Sequence, residues 1–154
     1  MKSQKHKLYS CEDILFNIST TSSSINYEGE TYQLDAGMIT TVEKVNNFFH
    51  TITTSPYTIA NFGVIDPCSL VIKKNLDRKS YYSPMTKTIH IAQRQWAMTK
   101  QVVLHEFAHH IVDCTHPKGV EDAHGVEFQK VYLKLMEIYL SEGNSRLLEK
   151  FLNG

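Results

Sequence analysis

The sequence predicts an α+β fold, and three patterns along the chain indicate it. Apolar residues recur at helical spacing over 38–52, short β-branched and aromatic runs follow over 57–91, and helical spacing returns after Thr99. The chain has 154 residues, of which 42% are hydrophobic, so its size and composition suit one domain with one core. We therefore expect a single domain over residues 1–154, with a helix, a small mostly antiparallel sheet and further helices.

The N-terminal segment, residues 1–30, contains a polar tract of serines and threonines from Ser19 to Ser24. Such a tract offers little apolar surface to bury, so we expect this segment to be loop-like or mobile. Three lysines lie near the start of the chain, but no apolar signal-peptide core follows them. Because nothing in this segment marks export, we expect a cytoplasmic protein.

Charge and cysteine content argue against several classes of function. Sixteen basic and sixteen acidic side chains give a formal net charge of zero, so no overall field attracts nucleic acid or anionic lipid. No run of about 18 apolar residues occurs, which argues against a transmembrane helix. Cys11, Cys68 and Cys114 are scattered singly and form no C-x-x-C pair, so neither a disulfide framework nor a cysteine zinc site is indicated.

In the first half of the chain, Asp35 is a candidate N-cap for the helix over 38–52, and Pro56 follows its end. Strands are then expected at 57–64, 70–72, 81–82 and 88–91, where β-branched and aromatic residues are concentrated. Breaks are expected at Asn75, Asp77 and the turn residues Ser83 and Pro84. These runs together predict the small sheet.

The second half of the chain is predicted to be helical. Thr99 can cap a helix with apolar positions from Val102 to Val112, and a polar loop over 115–123, containing Pro117 and Gly119, ends it. A further helix has apolar residues at helical spacing over 128–139, and Gly143 would close it. A last short helix is expected over 147–152.

The motif that carries chemistry is H-E-x-x-H, formed by His105, Glu106 and His109 inside the predicted helix. Positions i and i+4 of a helix lie about 40° apart and one turn along, so two imidazoles can reach one metal ion. Glu106 lies about 100° round the helix from His105, where a carboxylate can act as a base without occupying a coordination position. His110 points away from His109, so we expect it behind the ligands or on the surface.

Catalytic zinc needs three protein ligands and an open position for water, so the two helical histidines require a third partner. We choose His124, which lies 15 residues after His109 and just before a predicted helix. His116, Glu121 and Glu127 are the rival ligands. A glutamate ligand would indicate another zinc-peptidase architecture.

The residues His105-Glu106-Phe107-Ala108-His109-His110, followed by His124-Gly125-Val126-Glu127-Phe128, resemble the motifs of the SprT-like and related small zincin families. The resemblance covers about 88–140. It implies a zincin-like fold, one zinc ion per chain held by His105, His109 and His124, and Glu106 as the catalytic residue. It also implies a strand at 88–91 that borders the active cleft, where an extended polypeptide substrate pairs with the exposed edge near Ile89 and Ile91.

The sequence therefore predicts a zinc-dependent metallopeptidase in which Glu106 takes a proton from zinc-activated water. Tyr132 is a candidate hydrogen-bond donor to the oxyanion, although a tyrosine on an apolar helix stripe is more often packed in the core. Two alternatives stay open: an amide or small-molecule hydrolase with the same chemistry, and a non-catalytic interaction module stabilised by metal. The resemblance extends to compact metallohydrolases of bacteria and phages, and no basic excess or zinc ribbon supports binding to DNA.

Overall fold

A computed structural model describes residues 4–74, 79–116 and 124–154 of the chain. Several expectations therefore lie outside the described residues. They are the breaks at Asn75 and Asp77, the loop with Pro117 and Gly119, and the rival ligand Glu121.

The described residues form six helices and two small sheets, and the prediction of an α+β fold is confirmed at this level. In chain order the elements are α1 (Gln4–Thr21), β1 (Ser24–Tyr27), β2 (Glu30–Gln33), α2 (Val42–Thr54), α3 (Pro56–Phe62), β3 (Ser69–Lys73), β4 (Tyr81–Ser83), β5 (Thr88–Ala92), α4 (Lys100–Thr115), α5 (Val126–Tyr139) and α6 (Glu142–Asn153). None of the helices in the described ranges is long and apolar enough to cross a membrane.

The chain forms two compact units. The first comprises Met1–Ala36 with Glu121–Gly154, and the second comprises Gly37–Val120. The expectation of one domain over residues 1–154 stays a prediction.

In the first unit, α6 contacts α1, α5 and β2. Its core is formed by large side chains that are fully buried, among them Leu8, Leu15, Tyr32, Phe128, Tyr132, Leu135, Leu147 and Leu148. Strands β1 and β2 form an antiparallel hairpin in which Tyr27 pairs with Glu30. The turn between them uses Glu28 and Gly29, both with positive φ, which is typical of two-residue hairpin turns.

The N-terminal segment is not loop-like, because α1 occupies 18 of its residues. Leu8, Cys11 and Leu15 are buried and lie three and four positions apart, so they share one helix face. The polar tract also suits the helix end, where the Thr20 hydroxyl donates to the Phe16 carbonyl at 2.9 Å. The expectation of a loop over 1–30 was wrong because it was based on the polar tract and did not consider the helical spacing of these apolar residues.

Gly143 does not close α5, which ends at Tyr139, but lies in the first turn of α6. A Cβ atom added to Gly143 would lie 1.8 Å from the Gln33 carbonyl oxygen. Glycine is therefore required here because α6 approaches the β2 backbone closely.

In the second unit, β3, β5 and β4 form a sheet in that order. Strand β3 is parallel to β5 from Ser69–Thr88 to Lys73–Ala92, whereas β4 is antiparallel to β5 over three residue pairs. Two of the three strand pairings in the described residues are antiparallel, counting the hairpin. The longer ladder of the three-stranded sheet is nevertheless parallel, so this sheet is mixed.

Strand β5 is the central strand of this sheet, so the expected peptide-binding edge near Ile89 and Ile91 is not an edge. Both isoleucines are fully buried. The correction has a physical reason: β3 and β4 occupy the two sides of β5, and its main-chain groups serve these ladders.

Helix α2 begins later than expected, with Thr41 rather than Asp35 as its N-cap. The Thr41 hydroxyl accepts a hydrogen bond from the Lys44 backbone N–H at 3.1 Å. Met38 lies before the helix, where it forms a β-bridge with Thr99.

The strand expected over 57–64 was wrong, because Pro56–Phe62 form helix α3. Its β-branched and aromatic composition favoured a strand, but local signals favour the helix. Ser55 accepts a hydrogen bond from the Tyr57 N–H, and Pro56 occupies the first turn, where its missing N–H costs nothing.

Candidate metal centre

Helix α4 carries the H-E-x-x-H residues, and Thr99 is its N-cap as expected. The Thr99 hydroxyl accepts a hydrogen bond from the Val102 N–H at 3.1 Å. His105 and Glu106 are buried, with 4% and 6% of their surface exposed, while His109 is half-buried. The His105 and His109 ring centroids lie 5.1 Å apart, as the i, i+4 spacing on one helix face predicts.

His124 lies just before α5, whose N-cap is Gly125. Its side chain is buried at 7% exposure. Two aromatic rings contact the imidazole edge to face: Tyr9 of α1 at 5.5 Å and Phe128 at 5.1 Å between centroids. The Gln129 amide also donates to the His124 carbonyl at 3.1 Å, so both the main chain and the ring of His124 are held.

The structure brings His105, His109 and His124 together. One possible ligand atom from each residue lies within 4.8 Å of the others, which is close enough for a single metal ion. No other group of three or more histidine, cysteine or acidic side chains with this spacing occurs in the described ranges. The rival ligands His116 and Glu127 therefore do not belong to such a group.

The donor set fits the expected metal. Three neutral imidazoles are ligands that zinc accepts well, and three protein ligands leave a coordination position for water. Copper, nickel, cobalt and iron also bind imidazole, so the ligands by themselves do not identify the ion. The structure thus brings together three histidines that can bind one metal ion, and their imidazoles are compatible with zinc.

Glu106 is an acidic residue on α4, and its side chain is buried. Adjacent helical residues lie about 100° apart, so Glu106 projects beside His105 rather than along the same line. In a largely water-free setting, a carboxylate interacts strongly with nearby charge and dipoles. Helical spacing thus places this buried carboxylate beside His105.

His110 is fully buried, so the alternative that it lies on the surface was wrong. Its Nε2 donates to the Asp66 carbonyl at 2.7 Å, and its Nδ1 lies 2.8 Å from the Tyr82 hydroxyl. Burial lowers the pKa of His110 and so favours the neutral ring. His110 thereby connects α4 to β4 and to the chain before β3.

The Tyr82 hydroxyl also lies 2.8 Å from the Asp113 carboxylate. A tyrosine has one hydroxyl proton, so Asp113 and neutral His110 share this donor. Burial and the hydrogen bond with Asp113 raise the pKa of Tyr82 well above its usual value. Lys87 provides the carboxylate with a second donor at 3.4 Å, and these four side chains form what we call the polar network.

The cysteines are free thiols. Burial raises the pKa of Cys68 to about 12, so its thiolate is strongly disfavoured at neutral pH. Cys114 is half-buried on α4 and lies 3.7 Å from His110 Nε2. Neither residue belongs to the three-histidine group.

Tyr132 packs in the core, as the more common behaviour of a tyrosine on an apolar stripe predicts. It is fully buried, and its hydroxyl donates to the Glu12 carboxylate at 2.6 Å. This hydrogen bond occupies the hydroxyl proton, so Tyr132 is not the oxyanion donor.

Sequence reasoning missed Tyr9 and Glu12 because it placed no helix at the N terminus. The signal that could have found them is the spacing of Leu8, Cys11 and Leu15, which predicts a helix with Tyr9 and Glu12 one turn apart. Sequence reasoning also missed Tyr82 as a partner of His110, and no local pattern indicates a contact between residues 28 positions apart.

Comparison of the chain with protein-family models, curated proteins and solved structures finds no match.

Proposed function

We propose that this protein is a zinc-dependent metallopeptidase of the zincin type, with His105, His109 and His124 as ligands and Glu106 as general base. The observation that carries the proposal is the convergence of three imidazoles within 4.8 Å next to a nearly buried carboxylate. Helix α4 follows strand β5 in the chain, which is the order that the resemblance to SprT-like proteins implies.

When bound, a zinc ion would polarise a substrate carbonyl and lower the pKa of a coordinated water to about 7. Glu106 would accept the proton of the attacking water at a carboxylate oxygen and deliver it to the leaving amine. The three histidines would bind and orient the metal ion and would not exchange protons with the substrate. Positioned acid–base catalysis of this kind contributes about 10²- to 10⁴-fold to rate.

The first experiment tests the metal. Elemental analysis of purified wild-type protein is expected to find about one zinc per chain, because the donor set is complete. His124→Ala should reduce the zinc content sharply, whereas the matched variant His116→Ala should retain it. Zinc retained by His124→Ala would refute the three-histidine site, and a wild-type protein that takes up no metal would refute the metalloenzyme altogether.

The second experiment separates catalysis from metal binding. Glu106→Gln removes the base but keeps the volume of the side chain, so hydrolysis of an unstructured protein such as casein should fall by about 10²-fold or more. Its zinc content should equal that of wild type. Glu127→Gln is the matched control, because Glu127 lies outside the histidine group.

The alternatives predict other outcomes. If wild type binds zinc but cleaves no substrate, Glu106→Gln has no activity to change. The protein is then better described as an interaction module stabilised by metal. If casein is resistant while small amides are hydrolysed in a Glu106-dependent reaction, the protein is a small-molecule hydrolase.

A further inference from the structure

Five side chains of the first unit form a continuous series of contacts that begins and ends on α1. The series runs from Tyr9 to His124, then to Phe128, Tyr132 and Glu12, with centroid distances of 5.5, 5.1 and 5.6 Å between the successive rings. The hydroxyl of Tyr132 closes it by donating to Glu12 at 2.6 Å. We call this series the aromatic column.

The spacing of these residues follows from two helices. His124, Phe128 and Tyr132 are four positions apart, so they lie on one face at and beyond the start of α5. Tyr9 and Glu12 are three positions apart on α1, and therefore one turn from each other. One turn of α1 thus supplies both ends of the column.

The column is well packed. Phe128 and Tyr132 have 1% and 0% of their surface exposed, and even the Glu12 carboxylate has only 8%. A buried carboxylate that accepts a short hydrogen bond makes the contact between α1 and α5 specific in position. The position of Tyr9 is thereby tied to that of α5.

His124 precedes the first residue of α5, so no preceding helical turn restricts the rotamer of its imidazole. Gly125 is the N-cap of α5 and has no side chain to form a cap hydrogen bond. An imidazole at such a position can adopt several rotamers unless neighbouring side chains prevent it. Here Tyr9 and Phe128 contact its ring.

We infer that α1 is part of the metal centre, with the Tyr9 ring acting as a positioning residue that fixes the orientation of the His124 imidazole before metal binds. This inference rests on the proposed three-histidine site. It assigns the effect to the aromatic ring of Tyr9 and not to its hydroxyl. A ligand that is already ordered binds more tightly, because ordering it costs no additional conformational entropy.

Zinc affinity of the full chain, measured by competition with a chromophoric chelator, tests the inference. Tyr9→Leu should weaken zinc binding roughly three- to tenfold, the range expected for the loss of one aromatic contact. Tyr9→Phe should bind zinc as wild type does, because it keeps the ring. Tyr57→Leu is the matched control, since Tyr57 is 66% exposed on α3.

Two results of this titration would overturn the inference. One is wild-type zinc affinity in Tyr9→Leu, and the other is an equal loss of affinity in Tyr9→Phe and Tyr9→Leu. A merely structural role of Tyr9 would lower the thermal stability of the metal-free protein and leave zinc affinity unchanged.

A second measurement needs no metal. In the proton NMR spectrum of the metal-free protein, the imidazole C–H resonances of His124, assigned by their loss in His124→Gln, should be displaced by the adjacent rings. Tyr9→Leu should return them toward the values of an exposed histidine, and Tyr9→Phe should not. Undisplaced resonances in wild type would overturn the inference even if Tyr9→Leu failed to fold.

The two measurements distinguish failure of this inference from failure of the proposed function. A wild-type protein without zinc would refute the metallopeptidase, while the NMR spectrum would still report whether Tyr9 orders His124. A wild-type protein that binds zinc, with unchanged affinity in Tyr9→Leu, would refute only the role of α1.

Discussion

Helix α4 and the His124 side chain are held in place by different physical interactions. Next to His109 on α4, the polar network of Tyr82, Lys87, His110 and Asp113 connects the helix to the sheet by hydrogen bonds of 2.8 to 3.4 Å. His124 is instead contacted by aromatic rings in the aromatic column. One unit therefore holds His110 through directional polar bonds, and the other holds His124 through ring packing.

The polar region and the aromatic region should therefore respond differently to mutation. A buried polar network loses stability when one member is removed, because the remaining donors and acceptors are left unsatisfied. An aromatic contact loses only packing, and a residue of similar shape restores most of it. Substitutions in both regions test whether the polar region is the less tolerant of the two.

The largest effect is expected for His110→Ala. The substitution leaves a cavity and removes the ring that bonds both Asp66 and Tyr82, so the free energy of unfolding should fall by about 4 kcal/mol. Urea unfolding of the metal-free protein measures it. The exposed histidine of α2 gives the control, and His50→Ala should change stability by less than about 0.5 kcal/mol. A loss below 1 kcal/mol in His110→Ala would contradict a structural role for the polar network.

A somewhat smaller effect is expected for Leu15→Ala in α1. Leu15 is fully buried, and truncating a buried leucine costs about 2–5 kcal/mol, so we expect about 3 kcal/mol. The adjacent residue Ile14 is 50% exposed, and Ile14→Ala should cost much less. Equal, small losses in the two variants would mean that α1 is not packed, and the aromatic column would lose its support.

The smallest effect compares two tyrosine hydroxyls. Tyr132→Phe removes one donor from the buried Glu12 carboxylate, whereas Tyr82→Phe removes a hydroxyl that lies near both His110 and Asp113. Each loss should be about 1–2 kcal/mol, with Tyr82→Phe the larger because two partners are affected. Thermal unfolding of both metal-free variants measures the difference. If Tyr132→Phe cost more, the distinction between the polar and the aromatic region would not hold.

Local patterns predicted those elements whose signals lie close together in the chain. The cap at Thr99, the strands at 70–72, 81–82 and 88–91, and the returning helix after His124 are all present. Two of the failures arose where local signals competed. At 57–64 the composition favoured a strand, but Ser55 and Pro56 start a helix. At the N terminus the polar tract favoured a loop, although the apolar residues of α1 have helical spacing.

The order of strands could not be predicted in the same way. An apolar run such as 88–91 indicates a buried strand, but nothing within it states which neighbours it pairs with. Only long-range pairing places β5 between β3 and β4. The expected exposed edge at Ile89 and Ile91 failed for this reason.

Residues 105–109 are enough to place His105 and His109 on one helix face with Glu106 beside them, because helical spacing is a property of consecutive residues. The sequence also narrowed the third ligand to four candidates. The packing of distant elements was needed to bring a ligand atom of His124 within 4.8 Å of those of His105 and His109. The same packing buries His110 against Tyr82 and Asp66 and places Tyr9 of α1 against the His124 ring. These contacts join residues far apart in the chain, and their geometry depends on how whole elements pack.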